Sequence, residues 1–153
     1  MKPPAIAITN LTFRWRPSDA SCLELANATV DAWKSLFLHG PSGSGKSTLL
    51  NLIGGVLLPA RGSVSLLGQT LGELSASRRD AFRADLLGFI FQQFNLLPYL
   101  SVLDNVLLPC RFSARRAKRV SEPESEARRL LAEFDLDPAL LGRPAAELSV
   151  GQQ

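Results

Sequence analysis

One unbroken stretch carries the densest chemistry in the chain: Gly40-Pro41-Ser42-Gly43-Ser44-Gly45-Lys46-Ser47-Thr48. Glycines, one cation and several hydroxyls in this spacing suit the holding of a polyphosphate. A loop that wraps such an anion must aim several backbone N–H groups inward. That requires dihedral angles glycine reaches without strain, and no Cβ in the way. Gly40, Gly43 and Gly45 meet the requirement. Lys46 adds a positive charge that reaches the outer phosphates, and the Ser47 hydroxyl is placed to ligate Mg²⁺. The spacing is G-x-x-x-x-G-K-[ST], the phosphate-loop or Walker A pattern.

The motif is expected between a strand and a helix. Leu36-Phe37-Leu38 ahead of it is a short apolar run suited to a buried parallel strand. Leu49, Leu50, Leu52 and Ile53 after it predict a helix that buries one face and ends at Gly54-Gly55 or a little later, before Pro59. The positive end of that helix points at the phosphates. An ordinary Gly/Ser turn would account for the glycines but not for this order of elements, so the stretch is read as a nucleotide site.

Upstream, residues 5–15 predict a strand through Ile6, Ile8, Leu11, Phe13 and Trp15, with a kink at Asn10. Arg16-Pro17-Ser18-Asp19 reads as a turn, and Leu23 to Val30 as a second strand. Together they predict an antiparallel hairpin beside a parallel sheet. Downstream, Pro59 to Gly62 is a turn, and Val64 to Leu66 a short strand that stops at Gly68. Ser77 with Asp80 predicts an N-cap for a helix reaching about Asp85. Leu87-Gly88-Phe89-Ile90-Phe91 then predicts a second buried strand running into Gln92-Gln93.

From Asn95 the patterns become helical, over Leu100 to Leu108 and then Ser121 to Leu136. The latter opens with Ser121 and Glu124 as a capping box and Pro123 in its first turn. Its predicted apolar face is Ala127, Leu130, Leu131 and Phe134. A further helical turn after Asp137-Pro138 is expected to end at Gly142. The fold class is therefore α/β: a phosphate-loop NTPase core with an N-terminal antiparallel β element over about 1–95, and a helical subdomain over about 96–148.

Composition sets the outer limits. A chain of 153 residues suits one domain with a sizeable core, and no apolar run is long enough to cross a bilayer. No secretory signal follows Met1-Lys2-Pro3-Pro4, and Cys22 and Cys110 lack metal-type spacing, so reduced cytoplasmic thiols are expected. A net charge of +3 is too mild to argue for a nucleic-acid partner. His39 is read as a packing or surface residue. Arg111, Arg115, Arg116, Lys118 and Arg119 are read as a solvated face balanced by Glu122, Glu124 and Glu126 rather than a lipid or nucleic-acid site.

Over its whole length the chain resembles the ATP-binding subunit of ABC transporters. The resemblance rests on three stretches in order: the phosphate loop, Phe91-Gln92-Gln93-Phe94-Asn95-Leu96-Leu97-Pro98 as the family's Q-loop, and Leu148-Ser149-Val150-Gly151-Gln152 as its LSGGQ signature at 148–152. The wording from Phe89 to Pro109 is closest to the lipoprotein-releasing and macrolide-export branch. The resemblance implies ATP and Mg²⁺ as cofactors, with Trp15 stacked on adenine. Gly40, Pro41, Ser42, Gly43, Ser44, Gly45, Lys46, Ser47 and Thr48 would hold the phosphates. It gives Lys46 and Gln92 catalytic roles, and Ser47 and Gln92 contact with the metal; Gln93 is the alternative to Gln92. Ser149 and Gly151 would bind the γ-phosphate of ATP held by a second copy of the subunit. Val150 stands where the family has glycine, and Trp33 where it has a turn glycine.

The same resemblance implies an integral membrane permease as partner and a cytoplasmic, peripheral location at the inner face of the membrane. The family's second acidic motif and switch histidine have no counterpart within residues 1–153. The chain is accordingly read as an N-terminal fragment of a longer domain, inactive alone in hydrolysis. The alternative is a truncated relic that binds nucleotide weakly or not at all. A DNA-repair or chromosome-structure ATPase is disfavoured, since neither a heptad run nor cysteine pairs occur between Gln92 and Leu148.

Overall fold

The computed structural model describes residues 3–153 and divides into two compact units, one up to Arg83 and one from Ala84. Met1 and Lys2, read above in connection with a signal segment, lie outside the described residues.

The first unit is built on a four-stranded sheet. Strands β1 (Ile6–Phe13), β2 (Leu23–Val30), β3 (Arg61–Leu66) and β4 (Gln69–Thr70) stand in the order β2-β1-β3-β4. Every pairing is antiparallel. The expected kink at Asn10 is a bulge: Asn10 has φ 46°, and the β1–β3 register shifts between Thr9 and Thr12. Side chains along a strand alternate faces, so Ile8 and Leu11 would otherwise point oppositely. The inserted residue turns the strand so that Ile8, Leu11 and Phe13 are all buried, with Val64 and Leu66 of β3. Gly62 permits this. A Cβ there would lie 2.2 Å from the Asn10 carbonyl oxygen and 2.3 Å from that of Thr9.

Helix α1 (Lys46–Ile53) follows the phosphate loop and buries Leu52 completely. It ends where expected, with Gly54 N–H donating to Leu50 O at 2.8 Å and Gly55 left-handed at φ 67°. The β3–β4 hairpin turns at Leu67 and Gly68, both at positive φ, as tight two-residue hairpins require. Helix α2 (Ala76–Leu86) is capped by Ser75, whose Oγ accepts from Arg78 N at 3.3 Å, not by Ser77. The predicted partner Asp80 is bonded instead to Arg83 at 2.5 Å.

Two expected strands do not form. Leu36–Leu38 and Leu87–Phe91 run without regular structure, and the only sheet among the described residues is antiparallel. Both segments have the composition of buried parallel strands, but such a strand exists only between neighbours that satisfy its N–H and C=O groups. Among the described residues no strand lies beside them, and Phe37 and Ile90 stand exposed, Ile90 completely.

The second unit is helical: α3 (Val102–Phe112), α4 (Ala114–Ala117) and α5 (Pro123–Glu133). Val102, Leu141 and Leu148 form its core, with Leu103, Leu131, Leu136 and Leu140 against them. Ser101 caps α3, accepting from Asp104 N at 3.0 Å. The capping box expected for α5 is not made. Glu122 occupies the cap without a side-chain bond, and Glu124 is held by Arg128 at 2.7 Å. The predicted apolar face is half realised: Ala127 is buried and Leu131 packs on the core, whereas Phe134 is 82% exposed.

Candidate functional site

The phosphate loop has the backbone its letters require. Gly43 and Gly45 are left-handed, at φ 80° and 87°, and a Cβ on Gly40 would meet Ser44 Oγ at 2.8 Å. Gly45 is the N-cap of α1, whose first turn holds no acidic residue, so the helix end is left electropositive. Helical hydrogen bonding starts at once, with Leu49 N–H donating to Gly45 O at 2.8 Å. Lys46 begins the helix and folds back over the loop. Its ammonium donates to Gly40 O at 2.8 Å, Pro41 O at 2.7 Å and Ser44 Oγ at 3.3 Å. Three acceptors hold a single cation above the glycines. Ser42 and Ser47 are exposed, and Thr48 is half-buried on the helix.

Trp15 follows β1 and packs edge-on against Phe13, with ring centroids 5.1 Å apart and planes at 83°. The ring is 63% exposed and walls a cleft of about 410 Å³ together with Arg14, Arg16 and Arg61. Arg14 donates to Pro17 O at 3.1 Å, and its Nε is buried without a partner. Among the described residues none of these guanidinium groups pairs with a carboxylate, and a flat aromatic face beside them suits a ring that carries anionic substituents.

In the second unit, Gln92 and Gln93 sit on an irregular loop. Both line a cleft of about 440 Å³ with Phe94, Asn95, Ala145, Ala146 and Gln153. The strand that set Gln92 apart from Gln93 is not formed, so the two share one cleft. The signature is a turn anchored by buried Leu148. Ser149 donates from both its N–H and its hydroxyl to Gln152 Oε1, at 3.0 Å each, and its carbonyl accepts from Gln152 N at 2.9 Å. Val150 points to solvent at 74% exposure, and the space where Gly151 would carry a Cβ is open. Within this chain the valine crowds nothing.

The basic stretch is solvated as expected at Arg111, Arg115, Lys118 and Arg119, but the nearby glutamates do not balance it. Arg111 pairs with Asp104, and Arg116 donates to Ala84 O at 2.7 Å and Leu87 O at 2.6 Å. Glu124 and Glu126 are taken by Arg128 and Arg129 of their own helix. Helix spacing within α5 satisfies those carboxylates before the basic stretch reaches them. The Ser101 hydroxyl, with the Arg111 guanidinium, holds the Asp104 carboxyl below its usual value, and Arg129 does the same for Glu126. The guanidinium of Arg129 is pushed up in return by Glu126 and then Glu133. His39 is exposed near Phe37, their ring centroids 6.4 Å apart.

Glycines at left-handed angles, a helix springing from the loop and a lysine clasped above it define a phosphate-loop nucleotide-binding protein. The family described as ABC transporter matches residues 23–153, and the chain belongs to it.

Relatives and solved structures agree. The chain is 35% identical over 150 residues to the uncharacterized ABC transporter ATP-binding protein MJ0796 of Methanocaldococcus jannaschii, covering 97% of this chain and 64% of that protein. It is 35% identical to the lipoprotein-releasing system ATP-binding protein LolD of Chromohalobacter salexigens, covering 92% of this chain and 58% of LolD. It is 34% identical to the macrolide export ATP-binding/permease protein MacB of Hyphomonas neptunium, over the whole of this chain and 23% of MacB. A dimeric structure of the MJ0796 ATP-binding cassette in a post-hydrolysis state, bound to ADP and Pi, superposes with a TM-score of 0.80 at 32% identity. That match covers 96% of this chain and 64% of the cassette. The chain thus spans less than two thirds of the length of each of these relatives. Among the described residues no helix is long and apolar enough to cross a membrane.

Proposed function

We propose that this chain is the ATP-binding part of an ABC transporter, coupling ATP binding and hydrolysis to transport through a separate integral membrane permease at the inner face of the membrane. The observation that carries the reading is the lysine-clasped loop at the head of α1. The carbonyl oxygens of Gly40 and Pro41 hold the Lys46 ammonium where an anion's outer oxygens would meet it. Those contacts exchange for phosphate oxygens when the triphosphate enters, one set of acceptors replacing another. The family match supports this reading and gives the weakly binding relic no support over it.

The remaining roles follow residue by residue. Trp15 offers its open face to adenine, a stacking worth about 1–3 kcal/mol per base. Gly40, Pro41, Ser42, Gly43, Ser44, Gly45 and Thr48 frame the phosphates. Among the described residues no cluster of three His, Cys, Asp or Glu could hold a metal unaided. Mg²⁺ would therefore arrive on the phosphates, with the exposed Ser47 hydroxyl and the Gln92 carboxamide as protein ligands. There it would neutralise charge developing on the β- and γ-oxygens. Gln92 orients the attacking water, and Ser149 and Gly151 donate to the γ-phosphate of ATP held by a second copy. For that, Ser149 must release Gln152. The cassette of MJ0796 is dimeric with ADP and Pi, which supports a paired arrangement here.

Binding of a fluorescent ATP analogue, titrated against the protein and its Lys46→Ala variant, tests the proposal. Removing a charge-assisted contact of this kind should weaken binding on the order of tenfold or more. Equal affinity in the two proteins would sink the reading.

A further inference from the structure

Between Leu87 and Leu97 the chain has little to hold it. Among the described residues, none of the N–H groups of 89–96 donates a backbone hydrogen bond. Yet this is the segment that carries Gln92 and Gln93. Its two ends are fixed by side chains from the helices.

The entry is gripped by Arg116, through the carbonyls of Ala84 and Leu87, and by Ser113. Ser113 is 1% exposed and donates to Asp85 at 2.5 Å. The exit is gripped by one residue, Asn105 on α3. Its Oδ1 accepts from Leu97 N at 2.8 Å, and its Nδ2 donates to Leu97 O at 3.1 Å, Leu100 O at 3.3 Å and Ser101 O at 3.0 Å. The carboxamide stands in for a paired peptide, satisfying both backbone groups of Leu97. One N–H facing the oxygen and three carbonyls facing the nitrogen leave a single orientation for the amide.

The loop that Asn105 closes is itself stitched to the segment leading into the signature. Ala145 N donates to Leu100 O at 2.9 Å and Ala146 N to Pro98 O at 3.1 Å. Ser101 bridges Pro144, Val102 N donates to Arg143 O at 3.0 Å, and Leu103 N donates to Leu141 O at 3.1 Å. Beyond these bonds come buried Leu148 and then Ser149. The Asn105 clamp therefore sits where a shift at the glutamines and a shift at the signature must pass through the same few peptides.

We infer that Asn105 is a positioning residue for ATP hydrolysis. Its carboxamide locks the Leu97–Ser101 loop so that the glutamine segment and the signature segment move as one piece. This rests on the nucleotide reading above. Asn105 touches no nucleotide; it acts through Gln92 on one side and Ser149 on the other.

The test compares full-length protein in its transporter with Asn105→Asp. That substitution keeps size and one acceptor, but replaces the donor with a charge facing three carbonyls. Affinity for the ATP analogue and KM should stay within about twofold, while kcat falls on the order of tenfold or more, as misplaced reacting groups predict. Amide exchange should quicken together at Leu97, whose N–H the carboxamide accepts, and at the hydrogen-bonded amides of residues 145–149. Arg129→Ala, on the outer face of α5, should change neither. A kcat within twofold of the unaltered protein, or faster exchange confined to 97–101, overturns the inference. Should Asn105→Asp lose its cooperative melting transition, Asn105→Ser, which retains a donor and an acceptor, decides by the same comparison. If the unaltered protein fails to bind ATP, the nucleotide reading falls, and the exchange pattern still shows whether Asn105 couples the two segments.

Discussion

Replacing Gly62 by alanine should damage this chain more than its one added methyl suggests. Two costs add. Gly62 has φ 77°, and an L-residue in that left-handed region costs about 1–2 kcal/mol. The new Cβ would also lie 2.2 Å from Asn10 O, 2.3 Å from Thr9 O and 2.4 Å from Asn10 C. All three are backbone atoms of the β1 bulge, roughly 1 Å or more inside ordinary contact. They cannot swing aside as a side-chain tip would. Overpacking of this kind costs about 1–3 kcal/mol, for a total of about 2–5 kcal/mol. With a urea slope of about 2 kcal/mol per molar, the unfolding midpoint should fall by roughly 1–2.5 M.

The same bulge turns Leu11 and Phe13 inward, and Phe13 carries the ring of Trp15 on its edge. ATP-analogue binding should therefore weaken alongside stability. Gly72→Ala is the internal control, because a Cβ there meets nothing within 4 Å and the backbone angle is unexceptional. Its stability should stay within about 0.5 kcal/mol of the parent. A Gly62→Ala protein as stable as the Gly72→Ala protein would refute the reasoning.

The other predictions are smaller and differ in sign. Trp33 is fully exposed and left-handed at φ 67°, so Trp33→Gly relieves about 1–2 kcal/mol of strain against about 0.5–1 kcal/mol of extra chain entropy. Urea unfolding should show it equal to or slightly more stable than the parent; a clear loss of stability would show that the indole makes a contact this account omits. Asp104 titrates below its ordinary value of 3.8 in the folded chain, chiefly through the Ser101 hydroxyl. Its contribution is fully present above that ordinary value and is lost as pH falls through the depressed one. Asp104→Asn should thus narrow the difference in unfolding midpoint between pH 5 and pH 3, and an unchanged difference would contradict the assignment.

Local patterns in the chain were reliable wherever the deciding neighbours are close in sequence. Strand β2 spans Leu23–Val30 as its alternation indicates, and Asn10 marks the bulge. Lys46 opens α1 because the glycines before it leave the helical region and the leucines after it do not. Capping failed for a related reason. Ser77 and Ser121 both have the right letters three residues ahead, but Ser75 took one helix start, and Arg128 took the glutamate needed at the other. Several side chains within one turn compete for the same partner, and spacing does not rank them.

The amino-acid order by itself determined the chemistry of the loop: its glycine angles and lysine contacts are made within residues 40–48 and the helix they open, although the strand expected ahead of them does not form. Tertiary structure alone decided what depends on partners distant in the chain. Leu36–Leu38 and Leu87–Phe91 have the composition of strands yet form none, because a strand's hydrogen bonds belong to its neighbours. Arg116 reads in the sequence as part of a solvated basic face, and Asn105 carries no signal there; in the folded chain they become the two posts of the glutamine segment. No periodicity announces such a role. The carbonyls they hold are brought within reach only when the helices pack.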